Sequence, residues 1–95
     1  MEKLDLLASE AVKIIEEEYD RARLAKNESK DWIFILETML RYVNEEDEDT
    51  SLGIWTSIAT MIAAEYNVYK DDEDIVNKIE YLDSKLVELA TSLGF

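Results

Sequence analysis

No proline interrupts the 95-residue chain, and its only glycines are Gly53 and Gly94. Proline removes a backbone donor and clashes with the preceding turn, and glycine loosens a helix, so a chain nearly free of both permits long helices almost everywhere. The boundaries must then come from the spacing of apolar residues. From Glu2 to Lys26, Leu4, Leu7, Ala8, Ala11, Ile14, Ile15, Tyr19 and Ala22 recur at steps of three and four, the signature of one buried helical face. On the opposite face Glu17 precedes Arg21 by four residues, the favourable order for an ion pair.

Asn27, Ser29 and Asp31 offer three caps for a second helix over Trp32 to Val43, which is apolar almost all round except at Glu37, Thr38 and Arg41. The run Trp32 to Leu36 has strand-like local propensity, but no second strand pattern exists to pair with it. This helix is expected to be central. Ile33 and Phe34 would point away from the Trp32, Ile35, Met39 row, so either three helices surround it or a partner does: a second copy forming a homodimer, or a target.

The acids Glu45, Glu46, Asp47, Glu48 and Asp49 repel one another and mark a connection, after which Thr50 and Ser51 cap a third helix over Leu52 to Tyr69. Its apolar residues are Ile54, Trp55, Ile58, Met61, Ile62, Tyr66 and Tyr69, its alanines let neighbours approach, and Glu65 is its only acid. Asp71, Asp72, Glu73 and Asp74 open a fourth helix, along which Ile75, Ile79, Leu82, Leu86, Leu89 and Leu93 repeat until Gly94 ends it. Four amphipathic helices with short connections predict an all-α fold of one domain, residues 1–95, as an antiparallel up-down four-helix bundle, with orthogonal packing as the other arrangement.

Charge narrows the function. Twenty-three Asp and Glu oppose ten Lys and Arg, a net charge of −13, with no His and no Cys. Without those two residue types there is no nucleophilic triad, no thiolate chemistry and no zinc–thiolate site, and two isolated glycines build no phosphate loop. No catalytic residue and no cofactor is expected, and the protein is not expected to be an enzyme. The charge repels nucleic-acid phosphates and anionic membranes and attracts basic protein surfaces. The N-terminal Met1-Glu2-Lys3-Leu4-Asp5 lacks the basic start of a secretory signal. The uncharged stretch Leu52 to Ala64 falls well short of the ~20 apolar residues of a spanning helix. A cytoplasmic location, with no membrane contact, is expected.

From Glu45 onward there are thirteen acids and three bases, Lys70, Lys78 and Lys85, so this half carries −10 of the −13. Acids at a helix start complement the macrodipole and keep a bundle in solution. Rows of carboxylates also offer a nucleic-acid-binding protein negative charge in place of phosphates, and the nominated partner-binding surface is Glu45, Glu46, Asp47, Glu48, Asp49, Asp71, Asp72, Glu73, Asp74, Glu80, Asp83 and Glu88. In size and composition the chain resembles the small acidic helical nucleic-acid mimics and host-defence inhibitors of phages and mobile elements, a likeness of character that covers no motif. It implies stoichiometric binding to a basic, nucleic-acid-binding protein. An immunity- or antitoxin-type partner that draws affinity from an apolar helix face is the alternative.

Oxygen-only metal sites need neither His nor Cys. An EF-hand frame from Asn44 fails, with Asp49 where Gly is needed and Trp55 where Glu is needed. Glu16-Glu17 with Asp20, or Glu45-Glu46 with Asp49, followed by Glu80 and Asp83, are similar to the magnesium-binding acids of the all-helical nucleotide pyrophosphohydrolases. That likeness would imply magnesium-dependent nucleotide hydrolysis. Five Glu-x-x-Asp pairs occur in the chain, as an acid-rich composition produces, and no metal ligand is nominated. Glu37 and Glu65, the acids most embedded in apolar sequence, are assigned to structure, Glu37 as the partner of Arg41.

Overall fold

A computed structural model describes residues 2–45 and 50–95, with side chains from Lys3 to Asn44 and from Thr50 onward. Among these residues the chain forms four α-helices and no strand: α1 (Glu2–Leu24), α2 (Lys30–Glu45), α3 (Ser51–Val68) and α4 (Glu73–Ser92). At 1.5 Å per residue they are about 24 to 35 Å long, which fits overall extents of 40 × 26 × 25 Å. The radius of gyration, 13.1 Å, lies just above the ~12.4 Å expected for a compact chain of this length. Every helix touches the other three, the packing of a helical bundle.

Local chemistry sets the helix ends. Of the three candidate caps before α2, Ser29 is the one used, its Oγ accepting from the Trp32 N–H at 3.3 Å. Thr50 caps α3 by accepting from the Gly53 N–H at 3.0 Å, and Asp72 caps α4 by accepting from the Ile75 N–H at 3.2 Å. Each cap satisfies one of the amide donors that a helix start leaves without an intrahelical partner. At the far end of α4, Gly94 takes φ 90°. This lets the Phe95 N–H reach the Ala90 carbonyl at 2.9 Å and the Gly94 N–H reach Thr91 at 3.0 Å, the paired bonds of a Schellman ending. Lys3 lies over the Phe95 ring, 5.4 Å from its centroid, so the start of α1 meets the end of α4.

The core comprises Ala11, Ile15 and Ala22 of α1, Trp32, Ile35, Leu36, Met39 and Val43 of α2, Ile58 and Ile62 of α3, and Ile75, Ile79, Leu82 and Leu86 of α4. Two expectations are corrected here. The helix against which each of the others packs most extensively is α1, not α2, because Ala8, Ala11 and Ala22 give it a slim buried stripe that three neighbours approach closely. Ile33 does not point away; it packs against the core, and only Phe34, 60% exposed, leaves it. Three helices therefore cover most of the apolar surface of α2, and Phe34 and Tyr42 are the large apolar side chains it leaves exposed among the described residues.

Candidate functional site

The apolar stripe of α4 divides its remaining residues into two flanks, and the neighbours of those flanks differ. One flank faces α1. The groove between them, about 420 Å³, is lined by Ile14, Glu17, Glu18 and Arg21 of α1 and by Asn77, Lys78, Tyr81, Leu82 and Lys85 of α4. Its cations are occupied. Arg21 forks onto Glu18 with Nε–Oε1 at 2.8 Å and Nη2–Oε2 at 2.6 Å, and its Nη2 also lies 2.7 Å from Oε1 of Glu28. Lys78 Nζ sits 2.6 Å from Oε2 of Glu28 and 2.8 Å from Oδ2 of Asp74, and Lys85 lies over the Tyr81 ring at 5.3 Å. The pair expected between Glu17 and Arg21 does not form. The buried Trp32 indole donates to Glu18 Oε2 at 2.8 Å, and that bond holds the Glu18 carboxylate where Arg21 can bind it through two parallel bonds.

Glu28, in the α1–α2 connection, is the least exposed carboxylate of this network, its side chain 5% accessible. Burial pushes its carboxyl up, but hydrogen bonds from Lys78, Arg21 and the Ser29 N–H outweigh that and hold it down at about 2. The same competition operates at Glu18: burial raises it, Arg21 and Trp32 lower it further, and the result lies below the ordinary range. Reciprocally, Asp74 and Glu28 raise the Lys78 ammonium. Glu28 thus joins α1 and the α1–α2 connection to α4.

The other flank of α4 faces α3 and is different. A groove of about 500 Å³ runs between Ala59, Ile62, Ala63 and Tyr66 of α3 and Ile79, Glu80 and Asp83 of α4. It continues into a smaller recess that adds Trp55, Ile58, Leu86 and Val87 and shares Ala59, Ile62 and Asp83. Neither Glu80 nor Asp83 forms an ion pair with a described residue. Both Lys78 and Lys85 lie on the far side of their own helix, and the α3 wall carries no cation.

The nominated acids separate accordingly. Asp71, Asp72, Glu73, Asp74, Glu80, Asp83 and Glu88 are all exposed. Asp74 is paired with Lys78, which it shares with Glu28, and Asp72 is engaged as the α4 cap. Glu80 and Asp83 come together in the α3/α4 groove, while Asp71 and Glu73 lie at the start of α4 and Glu88 two turns nearer its end than Glu80. Glu45 is the last residue of α2, and Glu46, Asp47, Glu48 and Asp49 lie outside the described residues.

No group of three or more acids that could hold a metal ion occurs among the described residues. The acids that resemble a pyrophosphohydrolase site are divided by α4, with Glu17 in the α1/α4 groove and Glu80 and Asp83 in the α3/α4 groove. Glu37 pairs with Arg41 at 2.7 Å as expected and also accepts from the Tyr19 hydroxyl at 3.2 Å. None of the described helices is long and apolar enough to cross a membrane. The apolar half of the α3/α4 groove, Ala59, Ala63 and Tyr66, was absent from the nominated surface. Its signal is the nearly uncharged α3 sequence, which has more apolar and small residues than one buried face can use. Neither family models, nor curated proteins, nor solved structures match the chain.

Proposed function

We propose that this is a stoichiometric binding protein that engages a basic surface of a nucleic-acid-binding protein, as inhibitor, regulator or nucleic-acid mimic, and that it catalyses no reaction. It acts in the cytoplasm, in the manner of the small acidic proteins of phages and mobile elements, and does not itself bind nucleic acid. One observation carries this: the cations of α4 are turned toward the α1/α4 groove, where Lys78 pairs with Glu28 and Asp74 and Lys85 lies over the Tyr81 ring, while Glu80 and Asp83, together with Asp71, Glu73 and Glu88, stay exposed without a cationic partner among the described residues. A net charge of −13 then steers a basic partner toward uncompensated carboxylates, making association fast and salt-sensitive.

The helices alternate up and down in this proposal, so that α4 runs antiparallel to both α1 and α3. Three contacts support that order: Lys3 against Phe95, Glu28 bridging Arg21 and Lys78, and the Ser51 hydroxyl donating to Asp5, which joins the starts of α1 and α3.

The test is affinity purification on the tagged protein, followed by competition with duplex DNA and a salt titration on whatever protein is captured. The variant Asp71→Asn, Glu73→Gln, Glu80→Gln, Asp83→Asn leaves the Asp72 cap and the Asp74–Lys78 pair intact, so it removes charge and not structure. A captured basic protein that nucleic acid displaces, and whose association with the variant is at least tenfold slower, supports the proposal. Capture that is insensitive to salt, to DNA and to the variant refutes it.

A second reading, an immunity- or antitoxin-type partner bound through an apolar face, is favoured by Leu52 at 59% and Val68 at 70% exposure on α3. Phe34 is open to such a partner, whereas Trp55 packs against the core, so truncating Trp55 would test stability as much as binding.

A further inference from the structure

Three grooves draw attention: between α1 and α4, between α2 and α3, and between α3 and α4. In the first, Arg21 and Lys78 are occupied by Glu18, Glu28 and Asp74, and Lys85 lies over the Tyr81 ring. The second, lined by residues such as Tyr42, Gly53, Thr60 and Met61, holds no charge that would select an occupant. The third combines shape with uncompensated charge, and we infer that the α3/α4 groove seats a cationic amphipathic helix of the partner protein. This rests on the function proposed above and names the part of the partner that the acidic surface engages.

The chemistry of the two walls defines the occupant. Along α3, Ala59 and Ala63 are exposed and one turn apart, so a second backbone can approach the groove closely there. Ile62 and Tyr66 supply apolar surface beside them, and the recess at Trp55 and Val87 extends it toward the other end of the groove. Along α4, Glu80 and Asp83 place two carboxylates on the wall with no described cation to meet them. A helix laid lengthwise would bury an i, i+3, i+4 apolar stripe against α3 and direct Lys or Arg from the next strip onto Glu80 and Asp83. A second copy of this chain fits the charge badly, since pairing would bring two molecules of −13 together.

The experiment titrates three 18-residue probes into the full ¹⁵N-labelled protein. They are a Leu/Lys peptide patterned as an amphipathic helix, a peptide of the same composition with its Leu and Lys order scrambled, and oligolysine of equal charge. Binding of the patterned helix at least tenfold tighter than either control, with shifts concentrated at Ala59, Ala63, Tyr66, Glu80 and Asp83, is the expected result. Ala63→Arg, which obstructs the groove at an exposed position, and Glu80→Lys with Asp83→Lys should each weaken that binding at least tenfold, with circular dichroism unchanged. Glu16→Gln, on an exposed part of α1, should leave it unaltered. Equal binding of all three probes with shifts spread over the acids overturns the groove and leaves the charge-based function standing. No binding of any probe overturns both. Light scattering that shows a dimer, with the same residues shifted before any peptide is added, assigns the groove to a second copy and overturns the inference.

Discussion

Replacing Glu28 by Gln keeps the shape of the side chain and removes its charge from between Arg21 and Lys78. A carboxyl held at about 2, against an ordinary value near 4.3, corresponds to about 3 kcal/mol of preference for the charged form in the folded state. Water reaches Arg21, 52% exposed, and screens part of that. Both cations also keep a second carboxylate, Glu18 or Asp74, so a cost of about 2 kcal/mol at pH 7 is expected. In a domain of this size that corresponds to a loss of about 10 °C in Tm. The sign with pH follows from the direction of the shift. A depressed carboxyl stabilises fully above its unfolded value and loses that contribution as pH falls toward its folded value. The gap between wild type and Glu28→Gln should therefore be constant from pH 7 to about pH 5, shrink by more than half by about pH 3 and nearly vanish close to pH 2. Thermal unfolding followed by circular dichroism across that range measures it, and taking the difference cancels most of the general relief of charge repulsion on acidification. A gap under about 0.5 kcal/mol at pH 7, or one that persists unchanged at pH 2, would refute the assignment of Glu28 as a charged clasp.

Three further outcomes are expected. Met39→Ala, at a site 2% exposed, should cost about 2 to 5 kcal/mol through the cavity it leaves, whereas Phe34→Ala, at 60% exposure on the same helix, should cost about 0.5 kcal/mol or less; chemical denaturation compares them. The Thr38 hydroxyl is buried without a hydrogen-bond partner among the described residues, so Thr38→Val should raise stability by about 1 kcal/mol, and a lower Tm would mean that the hydroxyl is satisfied in solution. Gly94→Ala forces an L side chain to φ 90° and should cost about 1 kcal/mol, with amide exchange at Gly94 and Phe95 accelerated as the Schellman bonds loosen.

The helices and their ends were legible because the forces that set them act within a few residues. The steps of three and four along α1 and α4, and the caps at Ser29, Thr50 and Asp72, are short-range patterns, as is the glycine ending at Gly94. The same locality made the Glu37–Arg41 pair predictable. Glu17–Arg21 has the same spacing and failed, because Trp32, fourteen residues beyond Glu18, decides which carboxylate Arg21 meets. The central place of α1 was hidden for a related reason: alanines carry little hydropathy, yet three neighbours packed against them make α1 the axis of the core.

The sequence alone determined that this chain would be helical, acidic and most strongly charged in its second half, since those properties follow from residue counts and short periodicities. Only the tertiary structure decided which carboxylates remain free. Glu28 meets Lys78 across fifty residues of chain, and Lys78 and Lys85 turn toward α1 while Glu80 and Asp83 turn toward α3. A helix fixes the angle between its own side chains, but the neighbour each flank meets, and so the charge that is neutralised or left for a partner, is set by packing against distant segments.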